Sequence, residues 1–141
     1  MGERTWVEIL TFPENEKAVE EIMGWPPEGG WGDTSSWTEG WNSKLIVAVF
    51  SDVNYGISTE LTSAFEGAGL SLVATAGACS GVYGCHAASF YGGESEDIRS
   101  DDEGMPVVGV NNGVVSEQEL ERVRRFEKML IAAGIKEGGL Q

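Results

Sequence analysis

Three observations in this sequence predict an α+β fold, a mainly antiparallel sheet with three helices, a ferredoxin-like core and a long Trp/Gly-rich loop. Thr5 to Phe12 sets Trp6, Glu8, Leu10 and Phe12 against Val7, Ile9 and Thr11, the period of two that suits a strand. Leu45 to Phe50, LIVAVF, is a continuous apolar run expected of a central strand covered on both faces. Ser58 and Ser116 each precede a stretch of helical spacing, and both can cap the backbone N–H groups of the turn that follows.

Each element has its own signal. Pro13 ends the first strand. Glu14 to Met23 places Ala18, Val19, Ile22 and Met23 on one helical face with glutamates opposite, and Gly24 is placed to close it. Gly24 to Asn42 breaks periodicity with five glycines, two prolines and four tryptophans, and reads as a long structured loop. After LIVAVF, the helix capped by Ser58 runs to Ala68 on Leu61, Ala64 and Phe65, with Gly69 ending it. Leu70 to Ala76 and Val82 to Tyr91 read as a hairpin around Gly77, Gly81 and Gly84. Met105 to Val110 suggests one more strand. Ser116 with Glu119 forms a capping box ahead of Leu120, Val123, Phe126, Leu130 and Ala133, and Gly134 closes that helix. Helices that must pack on a mainly antiparallel sheet define the α+β class.

The chain of 141 residues suits a single domain, 1–141, with one core. Its net charge of −14 comes entirely from residues 1 to 115, where 18 acids face 4 bases; the last 26 residues carry 5 of each. A single-sign field of this kind repels nucleic acid and anionic membrane and attracts basic protein surfaces. Met1 to Leu10 lacks the pattern of a secretory signal, and no apolar run approaches spanning length. A cytoplasmic location is expected, with Cys79 and Cys85 as reduced thiols that oxidation could join across the hairpin.

Four groups of residues are candidate sites. Among the loop tryptophans, Trp25, Trp31, Trp37 and Trp41, most are expected to cap a sheet face, leaving one or two at a rim for a partner; Trp31 and Trp37 are the candidates. The acidic stretch Glu94, Glu96, Asp97, Asp101, Asp102 and Glu103 lacks the ordered ligands of a calcium loop. Its ordinary reading is a solvated loop that keeps the domain soluble. With Glu14, Glu16, Glu20 and Glu21, its carboxylates could instead imitate backbone phosphates, spaced about 1.7 Å apart along a duplex axis. Cys79, Cys85 and His86 make a poor zinc set, and neighbours on a strand point to opposite faces, which argues against a Cys–His couple. The hairpin glycines match no phosphate-binding pattern, and their surroundings are acidic. The basic patch Arg122, Arg124, Arg125 and Lys128 is expected to pair with acids across the domain or within a homodimer.

The order of helices and strands, the aromatic first strand and the YG and GG punctuation of the hairpin resemble the Api92-like ferredoxin-fold proteins of phages and plasmids. The resemblance is topological and covers the middle of the chain. Of the tryptophan and cysteine signature near that family's start, Trp6 alone stands here, so no functional residue is carried over. What the resemblance implies is a mobile-element accessory protein, a setting in which small acidic domains inhibit host nucleases.

The expected function is therefore non-enzymatic, with no cofactor, metal or direct nucleic-acid contact. The protein would bind the basic surface of a host defence protein of restriction or CRISPR type and inhibit it, as a nucleic-acid mimic. The alternative is a small-ligand domain in which Trp31, Trp37 and Tyr55 stack on a nucleotide or metabolite. An enzyme using Asp52, or Cys85 with His86, lacks a base and an orienting group.

Overall fold

A computed structural model describes residues 4–34, 40–78, 84–101 and 105–137. Its order is β1 (Arg4–Thr11), α1 (Glu16–Met23), β2 (Glu28–Asp33), β3 (Ile46–Asn54), α2 (Thr59–Ala68), β4 (Leu72–Ala76), β5 (His86–Tyr91), β6 (Glu94–Arg99), β7 (Val110–Asn111), β8 (Val114–Val115) and α3 (Glu117–Ala132). A 3-10 turn, Pro13–Asn15, leads into α1.

Six strands form one sheet in the order β2-β3-β1-β4-β5-β6, every neighbouring pair antiparallel. The first four strands with α1 and α2 make the split βαβ pattern of a ferredoxin-like core. The β5–β6 hairpin widens that sheet. β1 lies between β3 and β4, so the sheet centre falls there rather than on LIVAVF, whose Val49 stays exposed.

Instead of the single core expected, there are two, because the period of two in β1 sorts its side chains to opposite faces of the sheet, each covered by its own helices. Val7 and Ile9 join Phe50, Leu72, Phe90 and the helix residues Val19 and Phe65 under α1 and α2. Leu10 joins Val73, Ala87, Ile98, Phe126 and Leu130 under α3 on the opposite face. The result is three layers, and burying an aromatic such as Phe65 against Phe90, ring centroids 5.3 Å apart, is what fixes α2 to the sheet.

The caps form where serine placed them. Ser58 Oγ accepts from Leu61 N at 3.1 Å and Ser116 Oγ from Glu119 N at 3.3 Å. Gly24 and Gly69 end α1 and α2 in the left-handed region. The box at Ser116 is only half made: the Ser116 N–H goes to Gly109 O, and the Glu119 carboxylate turns to Arg99 and Gly109.

Four further expectations change. The long Trp/Gly-rich connection contains the short edge strand β2, which pairs Glu28 with Val49 and Asp33 with Ile46; its register shift is absorbed at Gly29 and Gly30, both at positive φ. The acidic stretch is not a loop throughout, because Glu94 to Arg99 pairs along its length with β5. Strand β5 begins at His86; Cys79 and Val82 lie outside the described residues. Instead of a strand over Met105 to Val110, Pro106 makes one bridge to Ser100, and pairing resumes in the small β7–β8 hairpin, where Asn112 takes positive φ beside Gly113. Pro106 has no N–H to donate, which limits that segment to a bridge.

Candidate functional site

The charges divide by face. Each ion pair among the described residues involves β5, β6 or the C-terminal part of the chain. Arg125 donates to Glu96 at 3.0 Å, Arg122 stands 3.8 Å from Asp97, and Lys136 holds Glu127 at 2.9 Å. Of the expected basic patch, Arg122 and Arg125 pair with acids across the domain and half-bury Glu96, whereas Arg124 pairs with Glu121 on its own helix and Lys128 joins no ion pair among the described residues.

This pairing splits the proposed acidic cluster. Glu96 and Asp97, neighbours on a strand, start from opposite faces: Glu96 meets Arg125, whereas Asp97 stands between Arg122 and Nδ1 of His86, the latter at 3.9 Å. The His86 imidazole beside it, with Arg122, holds the Asp97 carboxyl below the usual range, against the desolvation that would raise it. Glu94 is exposed at the hairpin turn, and Asp101 Oδ1 accepts from Met105 N at 2.9 Å. Asp102 and Glu103 lie outside the described residues.

The other side of the molecule keeps its acids without such partners. Glu14, Glu16 and Glu21 of the 3-10 turn and α1, and Glu60 of α2, take part in no ion pair among the described residues. Between α1, α2 and the end of β3 runs an open groove of about 840 Å³. Its floor is apolar, with Ile22, Met23 and Leu61, and its rim carries Glu28, Asp52 and Glu60.

Two local features shape that rim. Opposite Thr5 to Val7 the chain spends an extra residue between Phe50 and Val53, a bulge that holds Asp52 at φ 56°. Bulges re-aim side chains, and aspartate tolerates the left-handed region better than most residues. Ser51 Oγ donates to the Glu28 carboxylate, tying the bulge to edge strand β2. Trp25, just beyond Gly24, stands 43% exposed at the groove mouth.

The tryptophans separate by role. Trp31 is a cap: Nε1 donates to Glu20 at 2.7 Å, and the ring meets Phe50 edge-on at 6.1 Å. That commitment leaves it poorly suited to stack on a ligand with Tyr55, which is exposed in a turn after β3; Trp37 lies outside the described residues. Trp41 caps the opposite face, held by a bridge to Lys136, whose ammonium lies 5.2 Å from its ring centroid. Trp25 is the exposed indole that sequence reasoning passed over. Its signal was the helix-ending Gly24 directly before it, which turns the chain away from the core.

No family model, curated protein or solved structure matches this chain. Chemistry must therefore be read from the side chains. The groove lining holds carboxylates, hydroxyls and Arg4 but no His or Cys. Among the described residues no three His, Cys, Asp or Glu side chains gather as a metal would require, and no helix is long and apolar enough to cross a membrane.

Proposed function

We propose that this protein is a non-catalytic acidic binding module that docks on the basic surface of a nucleic-acid-handling host protein, of restriction or CRISPR type, and blocks its access to nucleic acid. The observation that supports this reading is the asymmetry of ion pairing. Acids of β6 and α3 are answered by Arg122, Arg125 and Lys136, whereas the exposed Glu14, Glu21 and Glu60 and the half-buried Glu16 join no ion pair among the described residues.

A carboxylate already paired gains little from a partner's arginine, because the new bond replaces an old one. An unpaired one gains the whole interaction and speeds encounter through the long-range field. The docking face of this reading is the side that carries these acids together with the groove rim of Glu28 and Glu60, with Trp25 as its apolar anchor, rather than the stretch from Glu94 to Glu103.

The test is capture of partners from a bacterial lysate at low and moderate salt, followed by competition with duplex DNA. A nuclease or other nucleic-acid-binding protein, lost as salt rises and displaced by DNA, is the expected recovery. Joint replacement of Glu21, Glu28 and Glu60 by glutamine with Trp25→Ala should abolish it, while Glu94→Gln with Glu96→Gln should not. Undiminished capture by the first variant would sink the proposal.

A further inference from the structure

Glu8 occupies an unusual place for a carboxylate. It lies on β1, the strand between β3 and β4, on the face covered by α3, with Thr75 of β4 on one side and Val49 of β3 on the other. Above it, between sheet and helix, is a cavity of about 130 Å³. Leu10, Val73 and Thr75 form the floor with Glu8, Phe126 and Leu130 the roof, and Trp41 a wall.

Three facts define what such a space would hold. Among the described residues no donor reaches the Glu8 carboxylate by hydrogen bond or ion pair. The nearby cation is already engaged: Lys136 also lines the cavity, but its ammonium bonds Glu127 and stands over the Trp41 ring. Finally, the volume approaches the roughly 150 Å³ of an engineered apolar cavity that takes up benzene.

From this geometry we propose that the cavity between the sheet and α3 is a binding site for a small organic cation, a primary amine on a single ring or short branched hydrocarbon, whose ammonium pairs with Glu8 while its body lies against Trp41, Phe126 and Leu130. The apolar lining supplies the burial and the unpartnered Glu8 the selection, since the second carboxylate of the lining, Glu127, is held by Lys136; this is the usual division of labour in a small-molecule site. A half-buried carboxylate without a donor is partly desolvated, which pushes Glu8 above the usual carboxylate range; an incoming ammonium offsets that cost. An anion of the same shape is rejected by Glu8 and by the overall charge of −14. This site is separate from the groove of the proposed docking face.

The experiment uses the full chain at pH 8 with benzylamine, benzyl alcohol and benzoate as probes, followed by calorimetry and by NMR shifts of Glu8, Thr75 and Trp41. Benzylamine is expected to bind about tenfold more tightly than benzyl alcohol, since a hydrogen bond to a charged group outweighs a neutral one by that order. Benzoate is expected not to bind. In Glu8→Gln the amine should fall to the level of the alcohol, whose own binding persists and shows that the cavity is intact. Thr75→Leu, which fills the floor, should exclude both. Equal binding of benzylamine to Glu8→Gln, shifts confined to other residues, or amine binding that survives Thr75→Leu would each overturn the assignment.

Discussion

Arg99 at the end of the outer edge strand donates through Nε to Glu119 Oε1 at 2.9 Å, while Glu119 Oε2 accepts from Gly109 N at 3.3 Å. One carboxylate in the first turn of α3 thereby holds both the sheet edge and the loop that carries β7 and β8. The bond from Arg99 is the chief cause holding Glu119 below the usual carboxylate range. Its sign follows from linkage: a lowered folded pKa contributes stability that is present above the unfolded value and lost as pH falls through the folded one. Glu119 should titrate below ordinary glutamate by NMR, and Glu119→Gln should hasten amide exchange at Gly109 and Ser116. Unchanged exchange would show that the loop is held otherwise.

Glu8 has the opposite sign. Its raised folded pKa means that stability is present below the unfolded value and lost as pH rises through the folded one. At neutral pH Glu8→Gln should therefore be more stable than the parent, with a higher Tm. Below the ordinary range of glutamate the two should converge. Thermal melts from pH 3 to 8 decide it, and a constant difference across that range would count against burial as the cause.

Helix capping offers a plain test of the serines. Ser58→Ala and Ser116→Ala should each cost about 1 kcal/mol in urea titrations, with little change in the slope against denaturant. The sites lie on different helices and layers, so their costs should add in the double variant.

Trp31 and Trp25 should part company. Trp31→Ala removes a ring packed on Phe50 and orphans Glu20, at a cost of about 2 kcal/mol or more. Trp25→Ala strips an exposed indole and should change stability by no more than about 0.5 kcal/mol while weakening partner capture. A large loss of stability at Trp25 would move it from rim to core.

The acidic stretch shows where local pattern misleads. Glu94 to Arg99 has little β propensity and much charge, so it reads as solvated loop; pairing along β5 makes it a strand, because Ile98 is buried beneath α3 and Arg125 and Arg122 balance its carboxylates. β2 is hidden for a similar reason, since EGGWGD carries no alternation and is ordered by the exposed edge of β3. The helices and β1 were legible because their signals are local: a serine before the first turn, a glycine after the last, and apolar residues at one period.

By itself the sequence determined the α+β class, the capped helices, the first strand and the location of the charge excess, since each depends on residues within a turn or two of one another. Which acids are neutralised, which indoles are buried, where the sheet centre falls and that Glu8 lies in a cavity were decided by tertiary structure. Those depend on meetings between segments up to tens of residues apart, as between Glu96 and Arg125 or Trp41 and Lys136, and burial sets their electrostatics only once the layers have closed.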